Sequence, residues 1–469
     1  MVTLRSRTSE GGGVSGGPAG RLTGGRLSLA GRTSLGTVLL AALAVFGAGE
    51  ALADARSESV DQRIRPEYEP LGLPMDLLFW EAGRLFTPDA ARPREGQAAI
   101  GSFIVYPSLN TSLEFNDNVY REETGENSDF ILRVTPLVRL ESDWDNHFLA
   151  LEAGVEYGKY FQLSDEDYLD ILTAADGRID VTEDLAFNLR AEWRRAHEGR
   201  GDVDDPGAQF DITTYRRLGG QVGLRYDNEL VTVEPGYEYF DYDYDDASGP
   251  GGTVNNDDRD RSEQRAFVRF SRTISESEGL GAFVEPSANW VRYDSKPDDE
   301  GFDRDNNGYA VIVGLEWDPD DIWEVRAGIG YQYQTYDDPD FDDITGVTFS
   351  GNVLWNADEL LTLQLSFDRY IDQTTLDDSA GKINDQVALV ADYELLPNWI
   401  LSGQALYRHE DFSGISRQDD YYGAGISTDY YLGENVSFGA EYFHERRESD
   451  ENDNSFASNS FILNLLLRM

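Results

Sequence analysis

The chain contains no cysteine. Disulfides, thiolate metal centres and cysteine nucleophiles are therefore excluded. Histidine is nearly as scarce: His147, His197, His409 and His444 are the only four in 469 residues. Positive charge is also short, with 39 Lys and Arg against 88 Asp and Glu, a formal net charge of −49. Phosphate backbones are gripped by clustered Lys and Arg, so nucleic acid is not an expected partner. Long apolar runs are missing as well. The longest is "LGTVLLAALAVFGA", 35–48, and a spanning helix needs about 20 residues.

Aromatic residues and glycine are plentiful: 25 Tyr, 23 Phe, 8 Trp and 46 Gly. Such a chain is acidic without having the aromatic-poor composition of disorder. Its length alone admits two or three globular domains. The N-terminus carries Arg5, Arg7, Arg21, Arg26 and Arg32, then the apolar run, then Ala51-Leu52-Ala53 before Asp54. Charged, apolar, small-x-small is the order of a secretory signal. Residues 1–53 are expected to be that signal with an extended basic leader. A later start would leave the same signal, and a single membrane anchor is the alternative. Residues 54–100 are expected to form a periplasmic segment.

From Gly101 onward one pattern repeats. In "NHFLALEAGVEYGKYF", 146–161, Leu149, Leu151, Ala153, Val155 and Tyr157 fall on one side of an extended chain. Ala150, Glu152, Gly154, Glu156 and Gly158 fall on the other, a period of two that predicts a strand. The same alternation runs through 130–140, 185–194, 323–333 and 436–442. About 18 such segments are expected (16 is the alternative), most with the ten or so residues of a tilted bilayer-spanning strand.

The connectors alternate too. "DWDN" (143–146), "TED" (182–184), "DNE" (227–229), "LPN" (396–398) and "GEN" (433–435) are short. "NDNVYREETGENS" (116–128), "GRGDVDDPGAQFD" (199–211) and "DYDYDDASGPGGTVNNDDRDRS" (241–262) are long and acidic. Short periplasmic turns and long extracellular loops are the rule of an outer-membrane barrel. The fold class expected is therefore all-β: a closed antiparallel transmembrane barrel over residues 101–469. Every backbone polar group in hydrocarbon must be bonded, so the sheet must close without a free edge. Trp144, Tyr160, Trp193, Tyr226, Tyr239, Trp290, Trp317, Trp323, Trp355, Trp399, Tyr430 and Tyr431 lie near segment ends, as interfacial girdles require. Phe461, Leu463, Leu465, Leu467 and Met469 alternate through the last segment, a pattern suited to the barrel-assembly machinery.

The stretches "RPEYEPLG" (65–72), "GSFIVYPSL" (101–109), "FNDNVY" (115–120), "SDFILRVTPLVRLESDW" (128–144) and "GVEYGKY" (154–160) resemble the second β-barrel porin type of Gram-negative bacteria. The resemblance implies an outer-membrane barrel and, for some members, an association with exopolysaccharide or capsule export; the apolar strand face is expected to meet lipid, and cations held weakly at the acidic loops to bridge to lipopolysaccharide phosphates. One departure is the insertion-like stretch 73–99, whose "MDLLFWEAGRLF" suits a short amphipathic helix or a plug.

Candidate chemistry is sparse. No GxSxG motif falls within the strand-bearing part of the chain, so a Ser/His/Asp hydrolase at the rim is a minor reading and no catalytic residue is assigned. "DRDNNG" (303–308) begins like a calcium loop, but Gly314 holds the twelfth position where a bidentate Glu is required. Weak Ca²⁺ or Mg²⁺ binding at acidic loops is the most that is expected; no cofactor is implied. The strand face opposite the apolar one carries both signs. The expected pore-lining set is Arg133, Arg139, Glu152, Glu156, Arg190, Glu192, Arg194, Arg217, Arg225, Glu234, Glu238, Arg265, Arg269, Glu324 and Arg326. Arg178, Arg408, Glu285, Glu316, Asp392 and Glu441 belong to the same face. Such charges shape the field in a wet pore. The function expected is a porin-like channel for hydrophilic solutes, with polysaccharide as the sharper guess. A non-conducting barrel that anchors a surface polymer or a secretion complex is the alternative.

Overall fold

The structure is a computed structural model. It describes residues 99–469 apart from 229, 321, 359, 377, 380, 452, 453 and 469. The expected signal, the periplasmic segment up to residue 98 and the candidate helix "MDLLFWEAGRLF" at 75–86 lie outside the described residues.

Eighteen long strands of 12 to 15 residues follow one another. They are β1 Phe103–Asn116, β2 Asp129–Ser142, β3 His147–Tyr160, β4 Tyr168–Thr182, β5 Leu185–His197 and β6 Thr214–Asp227. Next come β7 Val231–Tyr244, β8 Arg261–Ser275, β9 Leu280–Tyr293, β10 Asn306–Asp320, β11 Trp323–Tyr336 and β12 Ile344–Asn356. The last are β13 Leu361–Asp372, β14 Lys382–Leu396, β15 Trp399–Phe412, β16 Gln418–Tyr431, β17 Val436–Ser449 and β18 Phe456–Arg468. Each pairs antiparallel with its sequence neighbour. β1 also pairs with β18, Ser108 opposite Arg468 through Asn116 opposite Ser460, and that seam closes the barrel.

The period of two decides which face meets lipid. On β10 and β11, Val311, Val313, Leu315, Ile329 and Tyr331 are about half exposed, although all are large and apolar. Their alternates Ile312, Gln332 and Gln334 are buried. Exposed apolar side chains in a continuous band are a liability in water but the right surface in hydrocarbon. In the stretch 146–161, Leu151 stands outward and exposed while Ala150 is buried. Gly158 faces inward beneath the Tyr168 ring, which a Cβ at that position would overlap. This glycine lets an aromatic ring lie flat on the inner wall.

The short turns sit at one rim and the long loops at the other. Trp323 and Trp355 stack face to face at the short-turn rim with centroids 4.9 Å apart. Trp399 packs edge-on against Tyr430 at 6.1 Å. Two of the expected girdle residues belong elsewhere. Tyr160 is buried in an inner cluster with Val119, Ile131 and Tyr168. Tyr431 shares the inward face of Tyr421 and Asp429, one residue out of step with outward Tyr430. Proximity to a strand end told nothing of which face each ring would take.

Candidate functional site

The lumen has two unlike walls. Along β7 to β11 the inward positions form a continuous ladder. Arg265 reaches Glu238 at 3.6 Å and Glu285 at 2.7 Å. Glu285 also takes Arg269 at 2.9 Å; Arg269 continues to Glu316 at 3.8 Å, and Glu316 to Arg326 at 3.2 Å. Arg225 and Glu234 pair below it at 2.8 Å. Phenylalanines lie under the guanidinium groups, Phe267 beneath Arg265 at 4.8 Å and Phe283 beneath Arg269 at 4.5 Å. Antiparallel register sets the ladder. Arg265 stands directly opposite Glu238; on the next strand the register sets Glu285 opposite Arg269 and four residues from Asn289, which faces Arg265. Diagonal neighbours on one sheet face are within reach of long side chains.

The ladder continues in shorter pieces over β1 to β6. Arg133 is bound to Glu114 and to the Tyr168 hydroxyl at 2.8 Å, and that hydroxyl donates to Glu156 at 2.6 Å. Arg139 bridges Glu152 at 3.4 Å and Glu141 at 2.6 Å. Arg217, 1 % exposed, is clamped to Glu192, with Arg194 at 3.6 Å from the same carboxylate. Arg190 lies 3.9 Å from Asp176, and Arg178 3.1 Å from Asp180.

The facing wall, β12 to β17, has almost no cations at mid-height. Its inward positions are Asn352, Gln364, Ser366, Asp368, Gln386, Ala388, Val390, Asp392, Gln404, Gly423 and Gly425. Asp392 accepts from the Ser402 hydroxyl at 2.5 Å, and Glu441 accepts from the Gln404 amide at 3.2 Å. Positive charge reappears only toward the long-loop rim, where Lys382 and Arg408 both lie 3.0 Å from Glu410.

Of the residues expected on this face, Arg265, Arg269, Glu238 and Glu285 come together in one network. Arg133 and Glu156 form a second group, and Arg139 and Glu152 a third. Arg190 stands apart with Asp176, and Glu324 lies near the short-turn rim, opposite Leu354. Most of these arginines are matched by carboxylates on the wall itself.

The long loops do not stand free of the barrel. The loop after β5 folds across the mouth. Arg200, 4 % exposed at its side chain, binds Glu166 of the β3–β4 loop at 2.7 Å and Asp205 at 3.0 Å. Arg447 of β17 donates to the Gly201 carbonyl. Asp204 then accepts hydroxyl and amide bonds from Thr374 and Thr375, all at 3.3 Å, in the β13–β14 loop. From β5 to β13 is eight strands around a barrel of eighteen, so this loop spans almost a diameter.

A second strap starts after β9. Arg304, 2 % exposed, is paired with Asp298. It donates to the carbonyls of Thr374 at 3.1 Å, Ser379 at 2.8 Å, and Thr375 and Leu376 at 3.3 Å each. A planar fork of five donors suits such a cluster of carbonyls. Arg259 ties the β7–β8 loop to Glu198, one Nη bond being 2.9 Å. Burial pushes the Glu198 carboxyl up, with Arg259 opposing.

These arginines were not legible as site residues. Their only sequence signal is a lone basic residue inside an acidic loop, as in "GRGDVDD" and "DRDNN". The second stretch is also the expected calcium-like loop. In it Asp305 is taken by Lys296 and by the Tyr293 amide, and the Asp303 carboxylate accepts from the Asp305 amide at 3.2 Å. Among the described residues no group of three or more His, Asp or Glu is set to hold a metal. Each histidine has a partner: His197 with Asp170 at 2.8 Å, His409 with Asp420 at 2.9 Å, His444 with Asn459 at 3.0 Å, and His147 with the Asp180 amide at 3.2 Å.

Among solved structures, OccK2 (OpdF) of Pseudomonas aeruginosa, determined with glucuronate, is 12 % identical. It matches over 80 % of this chain and 100 % of its own, at a TM-score of 0.44. A BenF-like porin from Pseudomonas fluorescens is 11 % identical over 79 % of this chain and 100 % of its own, TM-score 0.42. The ferric enterobactin receptor of Pseudomonas aeruginosa is 6 % identical over 80 % and 81 %, TM-score 0.45. No curated protein matches the chain. The family described as "Putative beta-barrel porin 2" matches residues 95–469, the whole barrel, and the chain belongs to that family.

Proposed function

We propose that the protein is an outer-membrane channel that passes small hydrophilic solutes passively through a roofed pore. Membership of a β-barrel porin family implies the outer-membrane location. The observation that carries the channel reading is the lumen itself. Eighteen strands enclose a wall of charged, amide and hydroxyl side chains, and barrels of about 16 to 18 strands are wide enough for water. Catalysis is no part of this reading.

The roof argues for small solutes. A stiff polymer needs a straight path, and the two straps lie across it. Export of an oligosaccharide or polysaccharide is the finer reading within the same function, and it requires both straps to swing aside. The test is conductance of the purified protein in planar bilayers under a KCl gradient. Discrete openings with cation preference at low salt are expected, because acidic mouths concentrate cations and screening is weak when the Debye length is about 30 Å, at 0.01 M. Absence of openings at any voltage would overturn the channel and favour the anchoring barrel.

A further inference from the structure

Ala99 and Ile100 form a two-residue strand that pairs antiparallel with β1, Ile100 opposite Phe103 and Ala99 opposite Ile104. Gly101, at φ +67°, makes the turn between them, a conformation suited to glycine. β2 holds the other edge of β1, with Ser142 opposite Phe103, so Ala99 and Ile100 lie on the β18 side. The chain therefore comes down to the short-turn rim beside β1 before it turns and climbs as β1.

β18 ends on that same edge, with Arg468 opposite Ser108. Among the described residues no strand is paired with the edge at Val105, Tyr106 and Pro107. Above those three positions the plane of the sheet belongs to β18. Chain that precedes Ala99 by more than three residues must leave the plane, into the lumen or into lipid. The stretch 87–98, "TPDAARPREGQA", carries Asp89, Arg92, Arg94 and Glu95. Charges so closely spaced are costly in hydrocarbon, which leaves the lumen.

The inner wall beside the seam carries acceptors. Asn110 is 7 % exposed, and its Oδ1 has no hydrogen-bond partner. Asn464, its diagonal neighbour on β18, is likewise unpartnered at Oδ1. Asp429 leans toward Asn464 across Gly439: a Cβ on that glycine would lie 2.7 Å from the Asp429 Oδ1 and 3.5 Å from the Asn464 Nδ2. One carboxylate and two amides along a seam suit a guanidinium, a planar fork of donors. Continuing the register of Ala99 brings positions 94 and 92 level with Leu109 and Thr111, on either side of Asn110.

We propose that the inner wall at the seam docks the chain's own N-terminal segment, residues 87–98, with Arg92 and Arg94 set against Asn110, Asn464 and Asp429. The segment then narrows the lumen from the short-turn end, as the straps roof it at the other. The inference goes beyond the channel reading and stands whether or not the barrel conducts, because its test is read on a gel.

The chain has no cysteine, so a cross-link can be sought without background. Arg92→Cys is combined with Asn464→Cys in the full-length protein, folded in detergent and oxidised with copper phenanthroline. A disulfide there closes a loop of almost the whole barrel, and the heat-unfolded chain migrates differently on a non-reducing gel. Arg92→Cys with Leu463→Cys is the comparison, because Leu463 is the adjacent residue and faces outward, 62 % exposed. The Asn464 pair is expected to give at least five times the cross-link of the Leu463 pair. Equal or reversed yields would put the segment outside the barrel. No cross-link in either pair would put it below the rim. Both results overturn the docking. Folding of each variant is checked by its heat-modified gel shift. Should Asn464→Cys fail to fold, Arg94→Cys with Asn110→Cys, bridged by dibromobimane and read by fluorescence, decides the matter in its place: a fluorescent bridge in the folded barrel is expected, and its absence overturns the docking.

Discussion

The two walls of the lumen are built from strands of the same length and pairing, yet they hold different chemistry. On β7 to β11 every inward arginine of the ladder meets a glutamate, and phenylalanines fill the space beneath. On β12 to β17 the mid-height positions are amides, hydroxyls, small residues and a few carboxylates. The ladder wall is a packed layer whose charges are mutually spent. The plain wall is the one with polar groups left over for water or a solute. Counting lumen charges would therefore rank the walls wrongly as contact surfaces for a permeant.

That comparison is open to attack, most strongly at Glu285. Replacing it with Ala removes the shortest carboxylate contact of both Arg265 and Arg269 and leaves them only Glu238 at 3.6 Å and Glu316 at 3.8 Å. Removing one partner of a buried pair costs about 3–5 kcal/mol, so the fraction of folded band on a temperature-gradient gel should collapse well below the wild-type midpoint. Gln404→Ala on the plain wall should leave that midpoint nearly in place. Equal loss would erase the distinction.

The next effect is on the outer face. Val155→Arg puts a charge into hydrocarbon, at about 2–4 kcal/mol near the midplane, and should reduce insertion into liposomes. Ser366→Arg on the plain wall should insert normally and move the reversal potential toward anions. Normal insertion of both would refute the assignment of faces.

Smaller effects lie at the roof. Arg304→Ala removes charge-assisted bonds worth about 1.5–3 kcal/mol each to make or break. A shift of 1.4 kcal/mol is about tenfold in an equilibrium, so a strap held closed in wild type should open at least ten times as often. Single-channel recordings would show this as longer or larger open levels. Unchanged recordings would mean the strap does not limit current.

The mildest prediction concerns pH. Burial, with Asp243, Asp257 and Asp294 nearby, pushes Asp260 up to about 6, against the stabilising bond from the Tyr244 amide. A carboxyl raised in the folded state favours that state below its unfolded value, and the benefit is lost as pH rises through about 6. The roof should therefore be tighter near pH 4 than at pH 7, with fewer openings, and Asp260→Asn should flatten the dependence. More openings at pH 4 than at pH 7 would reverse the sign and sink this account.

The faces of the strands were plain in the sequence, because alternation such as Leu149 to Tyr157 repeats along every span. The alternation of short and long connectors was equally plain. The partners inside were not. Arg265 and Glu285 could be assigned to one face, but which glutamate each arginine meets depends on register between strands. The roof was least legible of all: Asp204 meets Thr374 across 170 residues, and acidic loops look solvated when read alone. Tyr160 and Tyr431 show the same limit, since nearness to a strand end does not say which way a ring turns.

The seam between β1 and β18 has a further consequence. Ser460 donates to Glu114 at 2.8 Å, and Asn116 donates to Ser460 at 3.1 Å, across a chain separation of 346 and 344 residues. Such a high contact order makes closure the slowest kind of pairing to find. Until the final strand arrives, β1 presents an unsatisfied edge that invites aggregation. The β1 edge is therefore the part of the sheet most exposed before closure, and a compound that caps β1 is expected to block closure while leaving the closed sheet untouched.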